Sequence, residues 1–128
     1  MAHIPEELLY TKSHEWVQFL DDSTARVGIT DFAQKSLGDI VFVNLPAEGE
    51  GVTAGERACD VESVKAVADI ISPVTGTVRS ANAELEGAPE ALNEAPYEAW
   101  IFEVEGVSAR EELLDAAAYE AFCATEEA

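Results

Sequence analysis

Hydrophobic and polar residues alternate in several short stretches of the chain, and this period of two is typical of half-buried β-strands. The clearest case is residues 24–30, where Ala25, Val27 and Ile29 fall on one face and polar or small residues on the other. Residues 15–20 (EWVQFL) come before it, and the short polar segment DDS (21–23) lies between the two runs. Two such runs joined by a short polar segment predict a β-hairpin.

Four further stretches have the composition of strands. β-Branched and aromatic residues favour extended backbone, and they dominate residues 39–46 and 100–106. The first stretch ends in a proline, and in the second the alternation of apolar and polar residues returns. Residues 57–64 and 66–71 form two more short runs that meet at Lys65. Lys65 is therefore predicted to lie at the turn between two strands.

Apolar residues recur at helical spacing in two places. Residues 30–38 show this spacing and end at Gly38, which predicts a short helix with a glycine stop. Nearer the end of the chain, Ser108 and Glu111 have the spacing of a capping box, and an apolar stripe follows them. We therefore predict a C-terminal helix over about residues 108–122.

Many short strands separated by turns, with small helices at their sides, predict a mainly β fold. We expect a flattened barrel or sandwich with short flanking helices and a C-terminal helix. No linker-like segment divides the chain, so a single domain over residues 1–128 is predicted. Gly28, Gly38 and Gly76 are expected where the backbone requires the absence of a side chain.

The charge of the chain limits the partners that it can have. There are 26 acidic residues against 7 lysines and arginines, which gives a formal net charge of −19. Nucleic-acid backbones and anionic membranes would be repelled, so we expect neither as a partner. Self-repulsion favours a soluble monomer, and adaptation to high salt is an alternative origin of the charge, because salt screens it.

The opening residues, MAHIPEELLYTKSHEW, carry no targeting signal that can be read from their composition. They lack the charged and apolar regions of a secretory signal and the arginine-rich composition of a transit peptide. The sequence contains no run of about 18 apolar residues, which is the length needed to span a bilayer. We expect a cytoplasmic protein, with the mature form of a mitochondrial protein as the open alternative.

Few side chains in the sequence could support catalysis, and no catalytic residue is predicted. Phosphate-binding, nucleophile-elbow and metalloprotease motifs are absent. Cys59 and Cys123 lie far apart without metal-ligand spacing, so we expect no metal site and two small, partly buried side chains. An enzyme that pairs His14 with Cys59 is the catalytic alternative.

Lys65 is unusual because the chain has few lysines and places this one among acidic residues. A nucleophilic lysine needs a lowered pKa, whereas acidic neighbours raise the pKa of a lysine. An exposed lysine with small neighbours, here Ser63 and Ala66, can instead enter another enzyme's active site and be acylated there. An ordinary solvated lysine is the alternative interpretation.

Five segments of the chain resemble, in the same order, the H proteins of the glycine cleavage system. They are YTKSHEWV (10–17), VGITDFAQKSLGDIVFVNLP (27–46), VESVKAVADIISPVTGTV (61–78), NEAPYEAW (93–100) and ELLDAAAYEAF (112–122). A biotin carrier would usually have methionines on both sides of the lysine, where this chain has Val64 and Ala66. The lipoyl domains of 2-oxo acid dehydrogenases usually have aspartate before the lysine.

This resemblance implies a fold of the lipoyl-domain type and a carrier rather than a catalyst. It implies that lipoic acid is bound covalently to Lys65 as N6-lipoyllysine, and that the lipoyl-attaching enzyme recognises Glu62. It also points to Ser13, Glu15 and Asp69 as polar groups near a cleft that shields the loaded arm.

The partners implied by the resemblance belong to glycine catabolism and one-carbon metabolism. The arm would take an aminomethyl group from the P protein (glycine decarboxylase) to the T protein (aminomethyltransferase). The L protein (dihydrolipoyl dehydrogenase) would then reoxidise the dithiol.

The chain departs from the family pattern at several positions, including Ile71, where tyrosine or asparagine is common, and none of these positions is the attachment site. Ser36 stands where some members have histidine, and PYEAW is one residue shorter than usual, with Ala99 in place of a glycine. Two other functions stay open: an H-like lipoyl relay that donates lipoate to other lipoyl proteins, and a non-lipoylated acidic interaction scaffold.

Overall fold

A computed structural model describes residues 4–126 of the chain. The strands in these residues are β1 (Leu9–Tyr10), β2 (Glu15–Asp21), β3 (Thr24–Ile29), β4 (Ile40–Asn44), β5 (Gly51–Val52), β6 (Arg57–Ser63), β7 (Val67–Ile71), β8 (Val74–Ala81) and β9 (Phe102–Arg110). The helices are α1 (Asp31–Leu37), α2 (Glu84–Gly87), α3 (Ala91–Glu94) and α4 (Ala116–Glu126). The predicted hairpin, the short helix and the two strands that meet at Lys65 are confirmed. None of the described helices is long and apolar enough to cross a bilayer.

The strands form two antiparallel sheets. One has six strands in the order β1-β2-β3-β9-β8-β5, and the other has three in the order β4-β6-β7. Apolar residues from both sheets form one core, including Val27 of β3 and Val61 of β6, each 0% exposed. The predicted mainly β sandwich with flanking helices is therefore confirmed, and the sheets do not close into a barrel.

A second apolar cluster fixes the C-terminal helix against the six-stranded sheet. Tyr119 of α4 stacks on Tyr10 of β1 with the ring centroids 4.6 Å apart, and both rings are fully buried. Trp16 of β2 and Cys123 of α4 belong to the same cluster. Cys59 lies in the main core, so both cysteines are small buried side chains, more deeply buried than the partial burial predicted from the sequence.

The C-terminal helix is confirmed, but its predicted start at Ser108 is wrong. Ser108 lies in β9, whose last residues pair with the beginning of β8, so their backbone groups are bonded in the sheet. The helix begins at Ala116, and the carboxylate of Asp115 accepts a hydrogen bond from the Ala118 N–H at 2.8 Å. Asp115 therefore has the capping role that the sequence pattern suggested for Ser108.

Candidate functional site

Lys65 lies at the tip of the hairpin that joins β6 to β7. The Ser63 N–H donates to the Ala66 carbonyl at 2.8 Å, which closes a turn with Val64 and Lys65 at its centre. The Ser63 hydroxyl oxygen accepts hydrogen bonds from the N–H groups of Lys65 and Ala66 at 3.1 and 3.2 Å. The turn predicted at Lys65 is confirmed, and Ser63 stabilises it.

The side chain of Lys65 lies across the C-terminal end of α1. Its Nζ is 3.5 Å from the Ser36 carbonyl oxygen, and its Cε would be 3.5 Å from a Cβ added to Gly38. Gly38 has φ +78°, a conformation that favours glycine and ends the helix here. The Val64 N–H donates to the Asp39 carbonyl at 3.0 Å, which ties the turn to the same segment.

Asn93 of α3 holds this end of α1 in place. Its amide nitrogen donates to the Gly38 carbonyl at 2.9 Å and to the Gln34 side chain at 3.0 Å. Its amide oxygen accepts from the Ile40 N–H at 2.8 Å. Sequence reasoning assigned no role to Asn93, because nothing in a single asparagine indicates three partners distant in the chain.

A cleft of about 180 Å³ opens beside α1, between that helix and strands of both sheets. It brings together the three residues expected near an arm cleft, namely Ser13, Glu15 and Asp69. Ser36 lines the cleft as well, and its carbonyl is the group that Lys65 Nζ contacts. The lysine therefore lies at the edge of the cleft, although the roles of the three polar residues stay predictions.

Glu15 is the buried acid of this cleft, with 1% of its surface exposed. One carboxyl oxygen accepts hydrogen bonds from the hydroxyls of Thr11 and Ser13, each at 2.6 Å, and the other accepts from the Ile71 N–H at 3.2 Å. Burial raises the pKa of Glu15 to about 7, against the lowering effect of these bonds. The carboxyl group can therefore lose its proton readily when a cation enters.

Asp69 and Glu62 differ from Glu15 because their side chains reach the surface. The Asp69 carboxylate, with 59% of its side chain exposed, accepts a hydrogen bond from Arg57 Nε at 3.1 Å. Glu62 lies opposite Val67 in the hairpin, close to the lysine in the chain. Asp69 thus lines the cleft with a cationic partner already in place, while Glu62 is a partly exposed acid near the end of β6, which leads into the turn.

The alternative enzyme built on His14 and Cys59 has no support in the geometry. The Nδ1 atom of His14 hydrogen-bonds with the Tyr119 hydroxyl at 2.7 Å, and Nε2 with Glu126 at 2.5 Å. Burial raises the pKa of the Cys59 thiol to about 12, so the thiol stays protonated at neutral pH. Both ring nitrogens of His14 therefore make hydrogen bonds within the fold, although the residue also lines the cleft.

The raised pKa of Glu15 predicts a pH-dependent stability. In the unfolded chain Glu15 loses its proton near the ordinary pKa of 4.5, but in the folded protein it keeps the proton up to about pH 7. The folded state therefore binds more protons in this range, and stability falls as the pH rises through it. A shift of this size corresponds to about 3 kcal/mol.

Glu15→Gln tests this relation, because glutamine keeps a hydrogen-bond acceptor but cannot ionise. The free energy of unfolding in urea, measured at about pH 5 and about pH 8, should fall more for the native protein than for the variant. Glu86→Gln, at an exposed position, is the control and should keep the native pH dependence. Parallel pH profiles for the native protein and Glu15→Gln would contradict the assignment.

Comparisons with known proteins identify the family of this chain. The family described as "Glycine cleavage H-protein" matches residues 8–126. The glycine cleavage system H protein of Lachnoclostridium phytofermentans is 54% identical over 117 residues, which cover 91% of this chain and 92% of that one. The glycine cleavage system H protein of Kocuria rhizophila is 55% identical over 124 residues, which cover 94% of this chain and 97% of that one.

A solved structure gives the same result for the fold. The crystal structure of a glycine cleavage system H protein from Mycobacterium marinum superposes with a TM-score of 0.87 at 37% identity. The match covers 98% of this chain and 100% of that one. With this agreement in sequence and in fold, the chain belongs to the glycine cleavage H-protein family.

Proposed function

We propose that this protein is the lipoyl carrier of the glycine cleavage system, with lipoic acid in amide linkage to Nζ of Lys65. One observation carries the assignment of the lysine. Lys65 is exposed at a fixed turn, and its Nζ lies beside Ser36, which also lines the cleft that contains Glu15. An arm attached at this nitrogen begins at the edge of a site that can receive its other end.

The residues of the cleft fit the chemistry of a loaded arm. An aminomethyl group on a dihydrolipoyl sulfur carries an ammonium charge, and a carboxylate is a strong partner for such a cation. Glu15 would give up its proton as the cation enters, since an adjacent positive charge favours the ionised carboxyl group. Ser13 and Thr11 already orient this carboxyl group through their hydroxyls. The surrounding protein limits the access of water to the labile adduct.

The partners of the proposed carrier are the three enzymes of the glycine cleavage system and the enzyme that attaches the lipoyl group. The P protein would load the arm with an aminomethyl group from glycine, and the T protein would remove it. The L protein would then reoxidise the dithiol. This chain's own contribution is to hold the arm, to receive its loaded end and to present it, because a tethered group has a high effective concentration.

The direct test of the attachment site is the mass of the protein isolated from its own cells, followed by peptide mapping. We expect one lipoyl group on Lys65, with Lys12 and Lys35 unmodified as internal controls. An unmodified Lys65 in cells that lipoylate their other carriers would contradict the proposal and favour the interaction scaffold. Glycine–bicarbonate exchange with a purified P protein then separates the cleavage carrier, which supports exchange, from a lipoyl relay, which does not.

A further inference from the structure

Large apolar side chains are exposed next to the lysine turn. Val64 and Val67 are 66% and 64% exposed, and Phe42 is 45% exposed. Among the described residues, two further large apolar side chains are exposed: Val41, which precedes Phe42 in β4, and Leu20 of β2, which belongs to the other sheet. Because solvent contact of such side chains is unfavourable, their concentration beside one functional residue indicates a contact surface.

The register of the three-stranded sheet places Phe42 and Val67 on the same face, on either side of Glu62. Phe42 of β4 is opposite Glu62 of β6, and Glu62 is opposite Val67 of β7. Residues opposite one another on neighbouring strands share a face of the sheet. Val64 lies in the turn directly before Lys65. We call Phe42, Val64 and Val67 the apolar strip.

The charges along the apolar strip are acidic. Glu62 lies between Phe42 and Val67, and in the part of the chain that the structure describes no cation forms an ion pair with it. Its nearest polar contact is the Asn44 amide at 3.4 Å. The next acids on the sheet, Asp60 and Asp69, are both paired with Arg57. Glu62 is thus the carboxylate available for a basic group of a partner.

The reach of the lysine decides which partner must cover the apolar strip. The side chain of a lysine places Nζ roughly 6 Å from its Cα. An enzyme that acylates this nitrogen must therefore bring its active site almost onto the turn, where it contacts Val64 and Val67. Once the lipoyl group is attached, the reactive sulfur atoms lie much farther out, so the enzymes that act on sulfur need not touch the apolar strip.

We propose that the apolar strip is the docking surface for the enzyme that attaches the lipoyl group, a partner with an apolar groove bordered by lysine or arginine side chains. The basic border follows from Glu62 and from the net charge of −19, which makes a basic surface the complementary one. This inference rests on the proposed function, because it assumes that Lys65 is the acceptor.

The reaction at this surface is an acyl transfer that needs an activated lipoyl donor. The lipoyl carboxylate first attacks the α-phosphorus of ATP and displaces pyrophosphate, which gives a mixed anhydride with AMP. The neutral amine of Lys65 then attacks the carbonyl carbon of this anhydride. The new C–N bond forms as the bond to AMP breaks, and the amine gives up one proton to solvent. No electrons are transferred, and the disulfide of the lipoyl group is unchanged.

The test is the double variant Val64→Thr/Val67→Thr, measured with a purified lipoate–protein ligase, lipoate and ATP. Threonine keeps the branched shape and suits extended backbone, but it replaces an apolar methyl with a hydroxyl at each position. We expect kcat/KM for acylation of Lys65 to fall about tenfold or more, mainly through a higher KM. Leu20→Thr is the control: it alters an exposed apolar residue in the other sheet and should leave kcat/KM unchanged.

Three outcomes would overturn the inference, and they can be told apart. An unchanged KM in the double variant excludes docking through the apolar strip. The double variant can also be fully lipoylated by long incubation, with the mass as the check, and then tested with the P protein. If it is still a poor substrate, the surface serves the carrier's partners in general. Failure of the native protein to accept lipoate at Lys65 would instead remove the proposed function itself.

Discussion

Replacing Lys65 with arginine is expected to reduce glycine decarboxylation in a reconstituted system to the background level. Arginine keeps the positive charge, but its guanidinium stays protonated at any relevant pH and cannot accept an acyl group. Without a tethered arm the enzymes lose the gain in effective concentration, which is typically about 10²- to 10⁴-fold. The measurement is the release of labelled carbon dioxide from glycine with purified P, T and L proteins and ligase-treated carrier.

Lys35→Arg is the matched control, since it makes the same change at another exposed lysine on the neighbouring helix α1. It should keep full activity and the full mass increase on lipoylation. The circular dichroism and the melting temperature of both variants should equal those of the native protein, because Lys65 and Lys35 are exposed. Activity of Lys65→Arg above the background level would show that the arm is attached elsewhere.

Gly76→Ala is expected to destabilise the fold by about 3 kcal/mol, near the upper end of the cost of overpacking. A Cβ at this position of β8 would lie 2.5 Å from Val104 Cγ1 and 2.6 Å from the Glu105 carbonyl oxygen. A side chain can change its rotamer, but this carbonyl belongs to β9, and moving it disturbs the β8–β9 pairing within the six-stranded sheet.

Gly51→Ala makes the same chemical change in β5, the strand that pairs with β8. No atom lies within 4 Å of a Cβ added there, so the change in unfolding free energy should stay within about 0.5 kcal/mol. Urea unfolding followed by tryptophan fluorescence measures both variants, since Trp16 lies in a buried cluster. Equal stabilities of the two variants would contradict the close contact at Gly76.

The parts of the fold that the sequence could predict are those determined by neighbouring residues. The alternation of Ala25, Val27 and Ile29 follows from one face of β3 being buried, and all three are at most 1% exposed. The turn at Lys65 could be recognised because two strand-like runs meet there. The predicted start of the C-terminal helix was wrong because the capping pattern at Ser108 is local, whereas the pairing of β9 with β8 joins residues far apart in the chain.

The candidate site shows the same division between local and distant contacts. Motif resemblance selected Ser13, Glu15 and Asp69, and the fold places all three along one cleft. The resemblance could not predict that Glu15 is buried or that burial raises its pKa to about 7, because the residues that surround Glu15 come from both sheets. The contacts of Asn93 with α1 and Ile40 could not be predicted either, since they join segments far apart in the chain.

The contacts of Asn93, together with those of Ser63 in the turn, make the base of the proposed arm a stationary pivot. The rotatable bonds of the modified lysine, rather than movement of the scaffold, then set the volume that the arm explores. Capture of the loaded end by the cleft is consequently a first-order event within one molecule. The fraction of arms sheltered at any moment should therefore be the same in a dilute assay and in a crowded cell, whatever the concentration of the carrier.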